Sequence, residues 1–172
     1  MEAAHHSPGS SIAVPDGTYV IDTDRSELRF RAKAFTAVWV SGRIPALDGT
    51  IHVRDGRLSA SGAIAAQQVD TGLSARDWHL RSAHYLDSAR HPRITITVEG
   101  MPTDAAGSTA EIEVRGVAAP LRLRLVDLGW TGGRLRLEAE GDLDRSPLPM
   151  LPPIAGVSRI VHCRLVVEAR PT

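Results

Sequence analysis

Cysteine, aromatic residues, net charge and long apolar runs are all scarce in this chain. Cys163 is its single cysteine, so no disulfide can form within the chain and its stability must come from a hydrophobic core. Aromatic residues make up only 4%, so Leu, Ile, Val and Ala must build that core. The formal net charge is zero, which gives no chain-wide attraction to nucleic acid or to an anionic membrane. No apolar run approaches the length of a transmembrane helix, so we expect no stable membrane insertion.

The length and composition predict one globular domain with a loose N-terminal arm. A chain of 172 residues, 42% hydrophobic and 23% charged, is long enough to bury a core. Residues 1–17 are rich in Ser, Pro, Gly and Ala and are interpreted as a flexible arm, and residues 18–170 as the domain. The arm has no apolar segment of signal-peptide length, so we expect a cytoplasmic protein.

Alternation of apolar and charged residues is the dominant pattern after the arm. Leu28, Phe30 and Ala32, for example, alternate with Arg29 and Arg31. About eight segments share this pattern, and each predicts an antiparallel strand with one face in the core and the other in solvent. The periodicity fits an all-β barrel and a sandwich equally. We favour an up-and-down barrel, because a final strand that follows a chain of hairpins can close it and remove its edges.

Local signals mark the connections between these strands. Asp55–Gly56 predicts a tight hairpin turn, and Trp130–Gly133 predicts another. In the long segment Arg57–Asp70, Val69 falls out of phase with the apolar face, which predicts a β-bulge near Gln67–Gln68.

Small residues are frequent on the inner faces of the predicted strands. An eight-stranded barrel has an interior that side chains can fill or that can hold one small ligand. Small residues therefore leave either space for a ligand or unusually close backbone packing, and composition supports both interpretations. The small inner residues are Ala32, Gly42, Ala60, Gly62, Ala66, Ala110, Gly116, Ala139 and Gly141.

One segment, Thr71–Pro92, interrupts the strand pattern with polar and aromatic residues. It predicts a short helix that begins near Ser74, lies across one end of the barrel and ends near Tyr85. Asp77, near the helix start, is expected to favour the helix dipole and to cap the helix or pair with Arg81 four residues later.

The same segment contains residue types that are used in catalysis and in metal binding. Asp77, His79 and Ser82 are the types of a hydrolytic triad, but such close positions on a helix rarely converge, and no Gly-x-Ser-x-Gly motif is present. His79, His84 and His91 match no recognised zinc spacing. We therefore predict no catalytic residue, no metal and no cofactor. A hydrolase or isomerase that uses Asp77 and His79 is kept as an alternative.

The chain resembles the YceI-like polyisoprenoid-binding proteins. The most specific segment is VDTGLSARDWHLRSAHYLDSARHPRITI, in which a strand end leads through Thr-Gly and Arg-Asp-x-His-Leu to a His-Pro step. Four further segments are similar to the family, namely YVIDTDRSELRF, VRGVAAPLRLRL, GDLDRSPLP and VSRIVHCRLVVEA. The resemblance implies a lipocalin-like barrel that holds a long apolar chain in an internal tunnel, and it implies no catalysed reaction.

The resemblance and the inner-face assignment together predict binding of a long-chain apolar lipid, isoprenoid or fatty-acyl, for storage or transport. A structural or interaction barrel filled by its own side chains is a second alternative. Charge alone places a phosphate-bearing head group near Arg76, Arg81 or Arg145. Trp39, predicted to point outward, leaves a homodimer contact open. The predicted lipid-binding residues are Phe30, Val40, Ile44, Gly62, Ile64, Leu80, Tyr85, Leu86, Ile96, Ile112, Leu123, Leu137, Ala139 and Leu165.

Overall fold

The structure, a computed structural model, describes residues 13–35, 37–104, 107–150 and 156–172. Most of the predicted arm, residues 1–17, lies outside these ranges. In the part of the arm that is described, Val14 packs against the core, and the carbonyl of Pro15 accepts a hydrogen bond of 2.5 Å from the Tyr19 hydroxyl. The residues that directly precede the first strand therefore contact the barrel.

Ten strands and one α-helix form within the described ranges. The strands are β1 (Gly17–Ile21), β2 (Glu27–Ala34), β3 (Val38–Pro45), β4 (Asp48–Arg54), β5 (Arg57–Ala65), β6 (Arg93–Pro102), β7 (Ser108–Val114), β8 (Val117–Thr131), β9 (Arg134–Asp144) and β10 (Val157–Pro171). The helix, α1 (Ser74–Arg81), lies between β5 and β6. No helix in this part of the chain is both long enough and apolar enough to span a bilayer.

Eight of the described strands close into an antiparallel barrel. β1 pairs with β4 on one side and with β10 on the other, and the sheet runs from β4 through β5, β6, β7, β8 and β9 to β10. β2 and β3 extend the wall, because β2 pairs with the N-terminal part of β10 and β3 pairs with β2. The predicted up-and-down barrel of about eight strands, with a short helix between two central strands, is confirmed.

The alternating sequence pattern becomes the two faces of the barrel wall. On β7, the side chains of Ala110, Ile112 and Val114 are buried, whereas Glu111 and Glu113 are exposed. Each strand can bury one face in this way because successive side chains point to opposite sides of a sheet.

Two-residue turns fix the register of neighbouring strands. The φ angles are 51° and 72° at Asp55–Gly56, and 60° and 74° at Gly132–Gly133. Positive φ at both central positions is the requirement of a type I′ turn, whose twist matches that of antiparallel strands. Both predicted hairpin turns are confirmed.

Two local predictions between β5 and β6 are wrong. A 3₁₀ turn over Ala66–Gln68 takes the place of the predicted β-bulge, and the register shift between β5 and β6 falls at Leu58–Ala60 instead. The helix ends at Arg81 and does not reach Tyr85. It stops because Ser82 is extended, with ψ at 170°, and its hydroxyl donates to the carbonyl of His79.

Candidate functional site

The end of the barrel next to α1 is hollow. A cavity of about 560 Å³, called the mouth chamber below, is walled by β2, β3, β6, β7, β9, β10, α1 and the segment after α1. Nearly all of its walls are apolar side chains. The charged or ionisable side chains that reach it include Arg76, His79, Tyr85 and Arg145.

The opposite end of the barrel is almost filled by side chains. Its cavity, called the far void below, has a volume of only about 50 Å³. The strand register sets the boundary between the two regions: on β10, Cys163 lines the mouth chamber and Leu165 lines the far void. On β6, Ile94 lines the mouth chamber and Ile96 lines the far void. The far void has room for a few water molecules and none for a lipid chain.

The structure divides the predicted lipid-binding residues between these two regions. Those that line the mouth chamber are Phe30, Val40, Ile44, Leu80, Tyr85, Leu86 and Ile112. Those that line the far void are Gly62, Ile96, Leu123, Leu137, Ala139 and Leu165. Ile64 is fully buried and lines neither. Lipid contact by the second group would need the core to open, and for all of these residues the role in binding stays a prediction.

Strand β2 contributes more of the chamber wall than the sequence analysis assigned to it. Leu28, Phe30, Ala32 and Ala34 all line the chamber, although only Phe30 was predicted to do so. The alternation that selected Phe30 also marks the other three, so the signal was present. Met150 also lines the chamber, but it lies in a proline-rich stretch of the sequence that carries no such periodic signal.

Some of the small inner residues allow close backbone packing, and others leave space for a ligand. A Cβ atom added at Gly141 would lie 1.8 Å from the carbonyl oxygen of Arg122, and one added at Gly62 would lie 2.9 Å from that of Asp48. These two glycines therefore allow close backbone approach. Ala32, by contrast, borders the mouth chamber and leaves space there.

Helix α1 is anchored to Thr71, in the short segment between the 3₁₀ turn and the helix. The amide and the hydroxyl of Thr71 donate to one carboxylate oxygen of Asp77, at 2.8 and 2.5 Å. Arg76 donates to the hydroxyl and the carbonyl of Thr71, at 2.8 and 2.9 Å. These bonds hold Arg76 on the chamber wall.

The predicted pairing of Asp77 with Arg81 is wrong. Asp77 is buried and accepts its hydrogen bonds from Thr71, whereas Arg81 donates to the carbonyls of Gln67 and Val69, at 2.7 and 3.2 Å. Arg81 therefore fastens the helix end to the 3₁₀ turn, outside the lining of the mouth chamber.

The segment after α1 is held by Arg115, on the turn between β7 and β8. One guanidinium nitrogen donates to the carbonyls of Ala83, Tyr85 and Pro149, and another lies 3.7 Å from Asp87. A single side chain thus fixes Tyr85, a wall residue of the chamber, to the barrel.

Arg145 places a buried positive charge on the chamber wall. It is only 4% exposed, and it donates to the carbonyls of Ser158 and Val157, at 2.8 and 2.7 Å. Burial lowers the pKa of its guanidinium, and the neighbouring Tyr85 acts in the opposite direction. Tyr85 lines the chamber near Arg145, so the two side chains form a polar part of the wall.

The histidines and acids of the inserted segment form no catalytic relay. His79 Nε2 lies 3.1 Å from His84 Nδ1, the Asp77 carboxylate is bonded to Thr71, and the Ser82 hydroxyl donates to the carbonyl of His79. The ranges that the structure describes contain no cluster of three or more His, Cys, Asp or Glu side chains that could hold a metal ion. The absence of catalysis and of metal stays a prediction.

Cys163 is buried on the wall between β2 and β9. Burial raises the pKa of its thiol from an ordinary value of 9.0 to about 12. The thiol is therefore neutral at physiological pH and behaves as an apolar wall group.

Comparison with known protein families matches the YceI-like domain over residues 19–167. The chain belongs to the YceI-like family. Two relatives are Protein YceI of Escherichia coli O157:H7, 29% identical, and Protein YceI of Salmonella newport, 28% identical. The first alignment covers 94% of this chain and 90% of the relative, and the second covers 93% and 88%. The family predicted from the sequence is confirmed.

Two solved structures share the YceI-like fold of this chain. A polyisoprenoid binding domain from Saccharophagus degradans, implicated in plant cell wall breakdown, matches with a TM-score of 0.69 at 19% identity, over 90% of this chain and 98% of that one. Burkholderia cenocepacia BcnA matches with a TM-score of 0.75 at 14% identity, over 86% and 98%. At these identities the likeness establishes the fold.

Proposed function

We propose that this YceI-like protein binds a long-chain apolar lipid, of isoprenoid or fatty-acyl type, and holds it for storage or transport without catalysis. The mouth chamber carries the proposal, because it is a largely apolar cavity of about 560 Å³ inside a closed barrel. Cavities of about 300–1,000 Å³ are usual for small-molecule sites. The polyisoprenoid binding domain that shares the fold supports the ligand class.

Burial of the apolar chain supplies the affinity. Each methylene removed from water contributes about 0.8 kcal/mol, so a chain of several carbons binds without polar recognition. The chamber wall is built from paired strands and is preformed, which limits the entropy lost on binding. Arg76, Tyr85 and Arg145 line the chamber and are the proposed contacts of a polar end of the ligand, whereas Arg81 donates to backbone carbonyls outside the chamber.

Native mass spectrometry of freshly purified protein tests the proposal directly. We expect a population heavier than the chain by the mass of one lipid, and solvent extraction should release that lipid intact. A chain that carries nothing and takes up neither prenols nor fatty acids would contradict the proposal.

A bulky side chain in the mouth chamber should exclude the ligand. Ala32→Phe adds a ring where the wall borders open space, and we expect uptake of a fluorescent fatty acid to weaken about tenfold or more, since several methylenes lose their place. The matched control is Ala118→Phe, at an exposed position of β8. Unchanged uptake by a folded Ala32→Phe variant would count against the chamber as the site.

Two alternatives give different results in the same assays. A hydrolase or isomerase using Asp77 and His79 would return a chemically altered lipid, and His79→Ala would abolish the change. A barrel with a purely structural role would take up no lipid. Elemental analysis tests the expected absence of metal, and about one zinc per chain would bring His79, His84 and His91 back as ligands.

The cytoplasmic location expected from the sequence stays a prediction, which cell fractionation tests. We do not extend the proposal to a homodimer through Trp39. The Trp39 indole is 44% exposed, but two cations of its own chain already lie over the ring, with the Arg31 guanidinium 4.6 Å and the Lys33 ammonium 5.1 Å from the ring centroid.

A further inference from the structure

Exposed residues in the lining of the mouth chamber mark where the chamber reaches the surface. Most residues of its lining are buried or half-buried, but Phe35, Val38 and His79 line it and are also exposed. Phe35 and Val38 lie at the connection between β2 and β3, called the hairpin tip below, and His79 lies on α1. The opening of the chamber is therefore bordered by the hairpin tip and by α1.

Exposed apolar side chains are concentrated around this opening. Among the described residues, seven large hydrophobic side chains are exposed, and five of them belong to the hairpin tip or to α1 and the residue before it. These five are Phe35, Val38, Trp39, Leu73 and Trp78. The other two, Val20 and Val126, lie on strands in the half of the barrel that holds the far void.

The helix turns its largest apolar side chain away from the chamber. Arg76, His79 and Leu80 line the chamber from one side of α1. With 3.6 residues per turn, Trp78 lies on the opposite side, and it is 72% exposed. Phe35, at the hairpin tip, is 76% exposed. Neither aromatic ring is needed for the barrel core, and both stand at the end of the molecule where a ligand would enter.

The charge on the hairpin has one sign. The segment from Leu28 to Ile44 contains Arg29, Arg31, Lys33 and Arg43 and no acidic residue, although the whole chain has no net charge. Arg29 and Arg43 form ion pairs with Glu27. Within the part of the chain that the structure describes, Arg31 and Lys33 form no ion pair, and both lie over the Trp39 ring, at 4.6 and 5.1 Å from its centroid. Two cations that form no ion pair among the described residues thus lie on the hairpin that carries the exposed apolar tip.

We propose that the mouth end of the barrel docks reversibly on an anionic lipid bilayer, through Phe35, Val38, Leu73 and Trp78, with Arg31 and Lys33 on the head groups. Apolar side chains next to cations match a membrane surface, where apolar groups enter the acyl boundary and cations meet anionic lipid. Trp is favoured in that interface because its ring is apolar and its N–H can stay hydrated. Docking would bring the opening of the chamber against the bilayer, from which a lipid ligand would enter. Phe35 and Val38 belong both to this surface and to the chamber wall, whereas Leu73, Trp78, Arg31 and Lys33 lie outside the chamber wall, and docking is expected with or without a bound lipid.

Lys33 provides a specific probe, because it is the only lysine in the chain. The intact protein is mixed with vesicles of phosphatidylcholine, with or without about 30% phosphatidylglycerol, and sedimented. We expect binding to the anionic vesicles that falls as salt is raised, and weak binding to the neutral ones. The same vesicles should protect the Lys33 amine from an acylating reagent, read by peptide mass spectrometry.

Two variants separate the apolar and the charged contributions. Trp78→Ser and the double variant Arg31→Gln/Lys33→Gln should each weaken sedimentation with anionic vesicles about fivefold or more. Val126→Ser and the double variant Arg54→Gln/Arg170→Gln, at exposed positions in the other half of the barrel, are the matched controls and should bind as the parent does. None of these variants changes a residue of the chamber wall, so uptake of fatty acid from solution should stay normal.

Any one of three results would overturn the docking proposal. They are no binding to anionic vesicles, equal loss in the control variants, or equal binding to neutral and anionic vesicles. Protection of Lys33 that grows with protein concentration in the absence of vesicles, together with a doubled mass in light scattering, would assign the surface to a second copy of the chain. If the parent protein took up no fatty acid, that result would contradict the proposed function and would not affect the docking proposal.

Discussion

Two ionisable side chains are buried on the wall of the mouth chamber, and they differ in whether they carry a charge. Arg145 keeps its charge because its guanidinium donates to the carbonyls of Ser158 and Val157. For Cys163, burial and the nearby Asp142 carboxylate both raise the pKa of the thiol, and the thiol stays in the neutral form. The chamber therefore stays apolar along β10, and its polarity is confined to Arg145, Tyr85 and the α1 side.

The thiol of Cys163 should make stability depend on pH at high pH. Its pKa is about 12 in the folded state and near 9 when unfolded, so the folded state favours the bound proton. This contribution is present below the unfolded pKa and is lost as pH rises from about 9 towards 12. We expect the stability difference between the parent and Cys163→Ala to shrink by about 2 kcal/mol between about pH 7 and about pH 10.5. Urea unfolding at both pH values measures it, and a difference independent of pH would contradict the assignment.

At the scale of elements, α1 and the segment that follows it close one end of the barrel without pairing into the sheet. The helix has only eight residues, which is too short to be stable alone in water. Its position depends on side-chain bonds to other elements, chiefly Asp77 to Thr71, Arg81 to Gln67, and Arg115 to Tyr85. The segment is therefore the least strongly fixed part of the chamber wall.

Removing Arg115 should loosen this segment locally. In Arg115→Ala, the carbonyls of Ala83 and Tyr85 lose their donor, so the backbone bonds from Leu86 to Leu80 and from Asp87 to Ser82 should open more often. We expect amide hydrogen exchange in residues 82–88 to speed up about tenfold, with little change in β8. Arg124→Ala removes an exposed arginine of β8 and serves as the control. Equal exchange in both variants would show that Arg115 does not hold the segment.

At the scale of the whole molecule, one barrel contains two kinds of interior. The far half is filled by side chains, including the fully buried Ile51, Leu58 and Met101, which line the far void. The mouth half is hollow, and its lining residues lack packing partners on one side. The closed ring of strands gives stability without the mouth half having to be filled, which leaves that half free for a ligand.

Lipid loading should therefore stabilise the two halves unequally. A bound chain supplies the missing contacts in the mouth half, so residues 74–88 and β2 should exchange amide hydrogens more slowly in the loaded protein than in the stripped protein. The first residues of β9, which border the far void, should change little. Hydrogen-exchange mass spectrometry on stripped and reloaded samples measures both. Equal protection of residues 74–88 in both states would make the segment a fixed plug and remove Leu80, Tyr85 and Leu86 as ligand contacts.

The sequence by itself determined which side of each strand faces inward, where the type I′ turns fall and that a helix interrupts the strands. These are local properties, because side-chain direction alternates along a strand and a tight turn needs positive φ at particular residues. It also carried the family resemblance, through the segment around Arg76, Asp77 and His79.

Only the tertiary structure decided how deep in the barrel each inward residue lies. Cys163 and Leu165 are equivalent in sequence pattern, yet one lines the mouth chamber and the other the far void, because the stagger between strands distant in sequence sets that position. The tertiary structure also decided the hydrogen-bond partner of Asp77. Thr71, six residues earlier, reaches the carboxylate because the segment before the helix folds back onto it, whereas helical spacing alone favours Arg81.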